Sequence, residues 1–146
     1  MTISEFVLRL STAVAAGLLI GIERQWHHKS AGLRTNILVT VGAALYVLLS
    51  INMTETKGDV TRIIGQVVTG VGFLGAGLIF KEGLSIHGLT TAVTAWCASA
   101  LGCTAAAGYY TETLIGTFAV ISINLLLLPL DKWLSNRKDR EQDTNV

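Results

Sequence analysis

Seven residues at two junctions between apolar and polar sequence have the types and spacing to do chemistry. Glu23, Arg24, Arg34, Thr35 and Asn36 bracket one short polar stretch, and Lys81 and Glu82 stand at another. Positive residues at such junctions are ordinary anchors, with the stem along apolar surface and the charge in water. Carboxylates are not required for anchoring. Glu23 and Glu82 can bind a cation, or they can fix neighbouring segments through Arg24 and Arg34. A direct Glu23–Arg34 pair is one form that the second alternative takes, and Thr35 or Asn36 is placed to cap exposed helix donors. A second polar set, Thr90, Thr94 and Cys97, falls at i, i+4 and i+7 and so shares one helix face, with Thr91 and Ser99 off it. Threonine in an apolar helix ordinarily bonds its own i−4 carbonyl. The stripe is therefore read as self-satisfied hydroxyls, with interhelical contacts or a permeation path as the alternatives. Gln66, with Thr69 one turn on, is expected to bond across a helix interface.

Other chemistries find little support. Glu23 and His27 have metal-compatible i, i+4 spacing, but surface histidines at 27 and 28 in an interfacial loop explain the pattern as well, and no metal ligand set is assigned. There is no Ser/His/Asp or Cys/His nucleophile set, no P-loop and no zinc motif. Gly70, Gly72 and Gly75 fit GxGxxG, yet no strand precedes them, so a nucleotide fingerprint is rejected. Cys97 and Cys103 are six apart in apolar sequence and face different directions, which argues against a disulfide. The expectation is a protein that is not an enzyme and has no cofactor, with Mg²⁺ the one ion to consider. No basic patch with interleaved aromatics points to nucleic acid.

The elements that must position these residues are transmembrane helices. Of 146 residues, 51% are hydrophobic and 14% charged, against about 25% charged in a soluble domain; mean hydropathy is +0.55. The expected fold is an all-α bundle of five membrane spans, at about 3–22, 36–52, 63–80, 88–108 and 113–130. Residues 1–133 form the membrane domain and 134–146 a short polar tail, read as a frayed helix end and disordered terminus. The first span is the weakest, since only Leu10–Ile22 is free of charge, and a helix lying on the membrane is its alternative. The stretch from Gly65 to Cys97, rich in glycine, is the expected packing centre. Gly17 with Gly21, and Gly70, Gly72, Gly75 and Gly77, are the expected close-packing positions, because small residues let backbones approach where lipid supplies no drive for association. These faces exceed what five helices need internally, which predicts a homo-oligomer, a dimer for preference. Eight positive residues fall on the side of the 23–34 and 81–87 loops and the tail, and three on the other. That bias puts the N-terminus outside and the C-terminus in the cytoplasm.

Four blocks carry a resemblance: GIERQ (Gly21–Gln25), AGLRTN (Ala31–Asn36), TGVGFLGAGLIFKEG (Thr69–Gly83) and GLTTAVTAWCASALG (Gly88–Gly102). In this order they resemble the MgtC/SapB family of bacterial inner-membrane proteins. The resemblance implies a five-span domain tied to growth under magnesium limitation. It also implies either transport of Mg²⁺ or another divalent cation, or regulation of other membrane machinery such as the proton-translocating ATP synthase. By motif position it draws attention to Glu23, Arg24, Arg34, Glu82 and Cys97. Two departures stand against a virulence role: the chain stops before an ACT-type C-terminal domain could form, and Thr90 stands where virulence-type members carry Asn.

Overall fold

The computed structural model describes residues 1–53, 59–83 and 85–143, without the side chains from 130 onward. Five helices run as α1 (Ile3–Trp26), α2 (Leu33–Met53), α3 (Val60–Leu78), α4 (Leu89–Ala107) and α5 (Tyr110–Asp143); the two strands of an antiparallel hairpin, β1 (Phe80–Glu82) and β2 (Ser85–His87), separate α3 from α4. All five helices are long and apolar enough to cross a membrane.

Helix ends follow local chemistry. Thr2 caps α1 in a capping box with Glu5, which satisfies two backbone donors that open the helix. At its other end α1 continues to Trp26, one turn past the expected limit, so Glu23 and Arg24 belong to the helix body. The turn that follows passes through His28 at φ 53°. Asp59 caps α3 by accepting from the Thr61 N–H. α5 runs on through Pro129 to Asp143, which extends regular backbone well into the tail that the sequence reads as frayed.

The packing centre is α4 rather than the whole Gly65–Cys97 stretch. α4 packs on all four other helices, and 61% of its apolar window is buried against 17% for α3. Its sequence explains this. LTTAVTAWCASALGCTAAA is built largely from Ala, Thr, Ser, Gly and Cys, side chains small enough for neighbours on every side. Where α2 crosses α4, Gly102 lies so close that a Cβ would collide with the Thr40 carbonyl oxygen and sit 3.0 Å from its Cα. At the same residue, a Cβ on Gly17 of α1 would strike the Thr40 hydroxyl and lie 2.8 Å from the Ile37 Cα, and one on Gly21 would lie 2.7 Å from the Leu33 Cα. One face of α2 is thus seated against Gly17 and Gly21 of α1 and Gly102 of α4, while Leu38, Leu45 and Leu49 on its other side are exposed. The core around it is alanine-rich, with Ala13, Ala43, Ala44, Ala105 and Ala106 almost wholly buried beside Val47 and Leu48.

The glycines of α3 behave otherwise. A Cβ added to Gly70, Gly72 or Gly77 would meet nothing within 4 Å, and one on Gly75 would make only ordinary contact with Ala92. Within one chain, therefore, the expected close packing holds at Gly17 and Gly21 and fails at Gly70, Gly72 and Gly77. The reason is that α3 buries Val67, Val71 and Gly75 and packs Val60 and Ile64 on the core, so its other glycines lie off that face.

Candidate functional site

Because α1 runs past residue 23, its last turn carries two adjacent opposite charges into the protein. Arg24 is 1% exposed and Glu23 8%. The Arg24 Nη2 donates to Thr91 Oγ1 at 2.7 Å, which ties α1 to the first turn of α4. The Glu23 Oε2 accepts from Asn124 Nδ2 at 3.1 Å, which ties α1 to α5. Charge-assisted bonds of this kind are stronger than neutral ones, and each bridges helices far apart in sequence. The other Glu23 oxygen, Oε1, is buried without a hydrogen bond. His27 Nδ1 lies 3.4 Å from it, but 2.9 Å from the Glu23 backbone carbonyl, to which the Nδ1–H tautomer donates.

The expected seven-residue cluster divides in two. Glu23, Arg24 and Asn36 are buried, whereas Arg34, Thr35, Lys81 and Glu82 are exposed. Among the described residues Arg34 makes no ion pair, so the expected Glu23–Arg34 bridge is not formed; Glu23 looks across the bundle to α5 instead. Arg34 and Thr35 point outward because α2 already begins at Leu33, which sets Asn36 on its inner face. Asn36 does not cap helix donors. Its Nδ2 donates to the carbonyls of Ala31 at 3.0 Å and Gly32 at 2.8 Å, which staples the α1–α2 turn. Lys81 and Glu82 lie in β1, paired with Ile86 and Ser85, in a hairpin whose Phe80 and His87 rings stack at 5.4 Å.

The α4 face also divides. Thr94 is buried and back-bonds to the Thr90 carbonyl at 2.8 Å, the self-satisfied arrangement expected of threonine. Thr90, Thr94 and Cys97 nevertheless line one wall of a groove of about 360 Å³ between α4 and α5, with Asn124 on the other. Asn124 therefore connects this groove to the buried Glu23. Both cysteines are free thiols. Gln66 does not bond across an interface; it is exposed in a second groove of about 470 Å³ between α2 and α3, with Gly42 and Gly70 on its walls. Among the described residues no three His, Cys, Asp or Glu side chains are grouped to hold a metal ion.

Sequence reasoning missed Asn124, Thr91 and Arg9. A lone carboxamide in the apolar run of α5 was the available signal for Asn124, since such a group needs a partner away from water. Thr91 sat off the stripe drawn through Thr90, but it is buried as Thr94 is, and it is the one that meets Arg24. At the opposite membrane face Arg9 Nη1 donates to the Ala106 carbonyl at 2.7 Å, near the end of α4, where orphan carbonyls and the negative end of the helix dipole favour a cation.

Comparison with known proteins places these features in a family. The family model described as MgtC family matches residues 10–133. The Protein MgtC of Brucella abortus (strain 2308) is 48% identical over 121 residues, 83% of this chain and 50% of its own. The Protein MgtC of Salmonella typhimurium (strain LT2) is 43% identical over 127 residues, 87% of this chain and 54% of its own. An uncharacterized protein of Synechocystis is 44% identical over 134 residues, 92% of this chain and 57% of its own. The chain spans about half the length of these curated relatives. No solved structure matches it.

Proposed function

The chain belongs to the MgtC family, and from that membership we propose that it is a non-enzymatic regulatory protein of the bacterial inner membrane that docks onto other membrane helices. Its setting is magnesium limitation, and its partner class is ion-handling membrane machinery of the ATP synthase kind. The observation that carries this reading is the outer face of α3. Gly65, Thr69, Gly72 and Ala76 recur at helical spacing there, all exposed, with nothing near Gly65 or Gly72. Beside them the Gln66 carboxamide has no bonding partner among the described residues. A small-residue face with an unsatisfied amide is what helix association within a bilayer uses. A second copy meets the same need, with Gln66 pairing to Gln66 across a two-fold axis. The N-terminus is assigned outside and the C-terminus to the cytoplasm, from the distribution of Lys and Arg.

Transport of a divalent cation is the second reading. The observation in its favour is Glu23, whose buried, unbonded Oε1 lies one residue contact away from the α4–α5 groove through Asn124. Mg²⁺ prefers oxygen ligands and keeps several waters, so a single carboxylate beside a polar groove is a minimal start for a path. Reconstitution separates the two. The regulatory reading expects liposomes without Mg²⁺ uptake above background, and co-purification with a membrane complex that is lost when Gly72→Leu blocks the α3 face. Robust uptake abolished by Glu23→Gln or Glu82→Gln would establish transport instead.

A further inference from the structure

The first turn of α4 has the makings of an anion receptor. Gly88 precedes it in the left-handed conformation, φ 87°, and supplies no side-chain cap. A Cβ there would collide with the Leu78 carbonyl oxygen, so Ser, Asp and Asn, the residues that cap helices, are excluded from the position. The first backbone bond of the helix runs from the Ala92 N–H to the Gly88 carbonyl at 2.9 Å. The N–H groups of Leu89, Thr90 and Thr91 therefore open α4 with no carbonyl one turn back.

Into this turn reaches Arg24. Its Nη2 is 2.7 Å from the Thr91 hydroxyl, and the side chain is all but fully buried. The Arg24 Nε finds no hydrogen-bond acceptor, and among the described residues no carboxylate forms an ion pair with the guanidinium. Glu23, next to it in sequence, bonds Asn124 and lies near His27, and its charge reaches the guanidinium without a direct ion pair. The positive end of a helix and a buried cation thus face one another, offset in part by the Glu23 charge, and a negative group at the turn would be favoured there. Ser30 Oγ lies 3.5 Å from Thr91 Oγ1 and, like Thr90, is exposed, which leaves the rim of the turn open to approach.

We propose that Arg24, Thr91, Ser30 and the N-terminal N–H groups of α4 bind a phosphate group, carried by a phospholipid headgroup or by inorganic phosphate. Phosphate suits the donors because they converge from α1, the α1–α2 turn and α4, and a tetrahedral anion offers each of them a separate oxygen. The site is independent of the α3 face and of either reading of function. Both phosphate sources reach it, since the turn lies at the end of a span where headgroups begin.

The test uses the full chain, ¹⁵N-labelled, in alkyl maltoside micelles free of phosphate. Inorganic phosphate is titrated in one arm and phosphatidylglycerol in the other, with the Leu89, Thr90 and Thr91 amides and the Arg24 Nε–H followed by NMR. Saturable shifts of these resonances are expected. Saturation by inorganic phosphate assigns a soluble anion; saturation by the lipid alone assigns a headgroup. Arg24→Gln should abolish the response, and Thr91→Val should weaken apparent affinity about tenfold, the effect of one charge-assisted hydrogen bond. If Arg24→Gln does not fold, Thr91→Val and Ser30→Ala carry the test. No saturable shift with either probe, or undiminished affinity in both hydroxyl variants, overturns the proposal.

Discussion

Gly102→Ala should be among the most damaging single-methyl additions this chain can receive. The new Cβ would collide with the Thr40 carbonyl oxygen and lie 3.0 Å from both the Thr40 carbonyl carbon and Cα. These are backbone atoms in mid-helix, so no rotamer change relieves them, and α2 must move away from α4 by about 1 Å or more. Gly17 of α1 closes on the same residue, Thr40, so a shift of α2 also opens the contact with α1. Overpacking of a tight core costs about 1–3 kcal/mol, occasionally more, and with backbone atoms struck and two helix contacts disturbed the expected loss is about 3 kcal/mol. That is a large share of a total stability of about 5–15 kcal/mol. The matched control is Gly72→Ala, which adds the same methyl where nothing lies within 4 Å; its expected effect is within about 0.5 kcal/mol. Reversible unfolding of monomeric protein in mixed micelles, by titration with a denaturing detergent, measures both. Gly102→Ala as stable as the parent, or Gly72→Ala equally destabilised, would refute the reasoning.

Three further outcomes follow from single contacts. Asn124→Leu removes the donor to Glu23 Oε2 and leaves both oxygens of a buried carboxylate unbonded, so a loss of about 1–3 kcal/mol is expected in the same unfolding assay. Arg9→Met keeps the stem but gives up the bond to the Ala106 carbonyl and the charge at the α4 C-terminus; a loss of about 1–2 kcal/mol is expected, and faster hydrogen exchange should be confined to the last turn of α4. At the start of α3, the hydrogen bond from Thr61 holds the Asp59 carboxyl below its ordinary value of 3.8. A depressed folded-state value means that the cap contributes above 3.8 and is lost as pH falls through the lower folded value. Exchange at the Thr61 and Arg62 amides should therefore rise on acidification below that point in the parent, and Asp59→Asn should remove the pH dependence.

The five spans were legible because hydropathy and length alone decide them, and the GxxxG pair Gly17–Gly21 was legible because close approach in a membrane leaves few other residue choices. Helix ends were less so. The sequence places Glu23 and Arg24 after the first span because charges normally mark its limit; here they are retained in the helix because Asn124 and Thr91, from residues far along the chain, satisfy them. No local pattern encodes such partners. The 80–87 hairpin has three-residue exposed strands, too short for alternation to register. Glycine composition also misled for α3. The same residue type marks a crowded contact at Gly102 and an open face at Gly72, and only the neighbour tells them apart.

Arg9 and Arg24 have one more consequence. Both lie on α1, and each grips an opposite end of α4, at Ala106 and at Thr91. The two intervals, Arg9 to Arg24 and Thr91 to Ala106, are equal in residue number, so the antiparallel helices are pinned at matching depths like rungs on a ladder. Piston-like sliding of α4 against α1 would have to break one buried guanidinium contact before gaining another. With α2 seated against both, α1, α2 and α4 form the inner set, and α3 and α5 are the less buried helices. A change of shape in this protein is thereby steered to the two outer helices rather than to the α1–α2–α4 core.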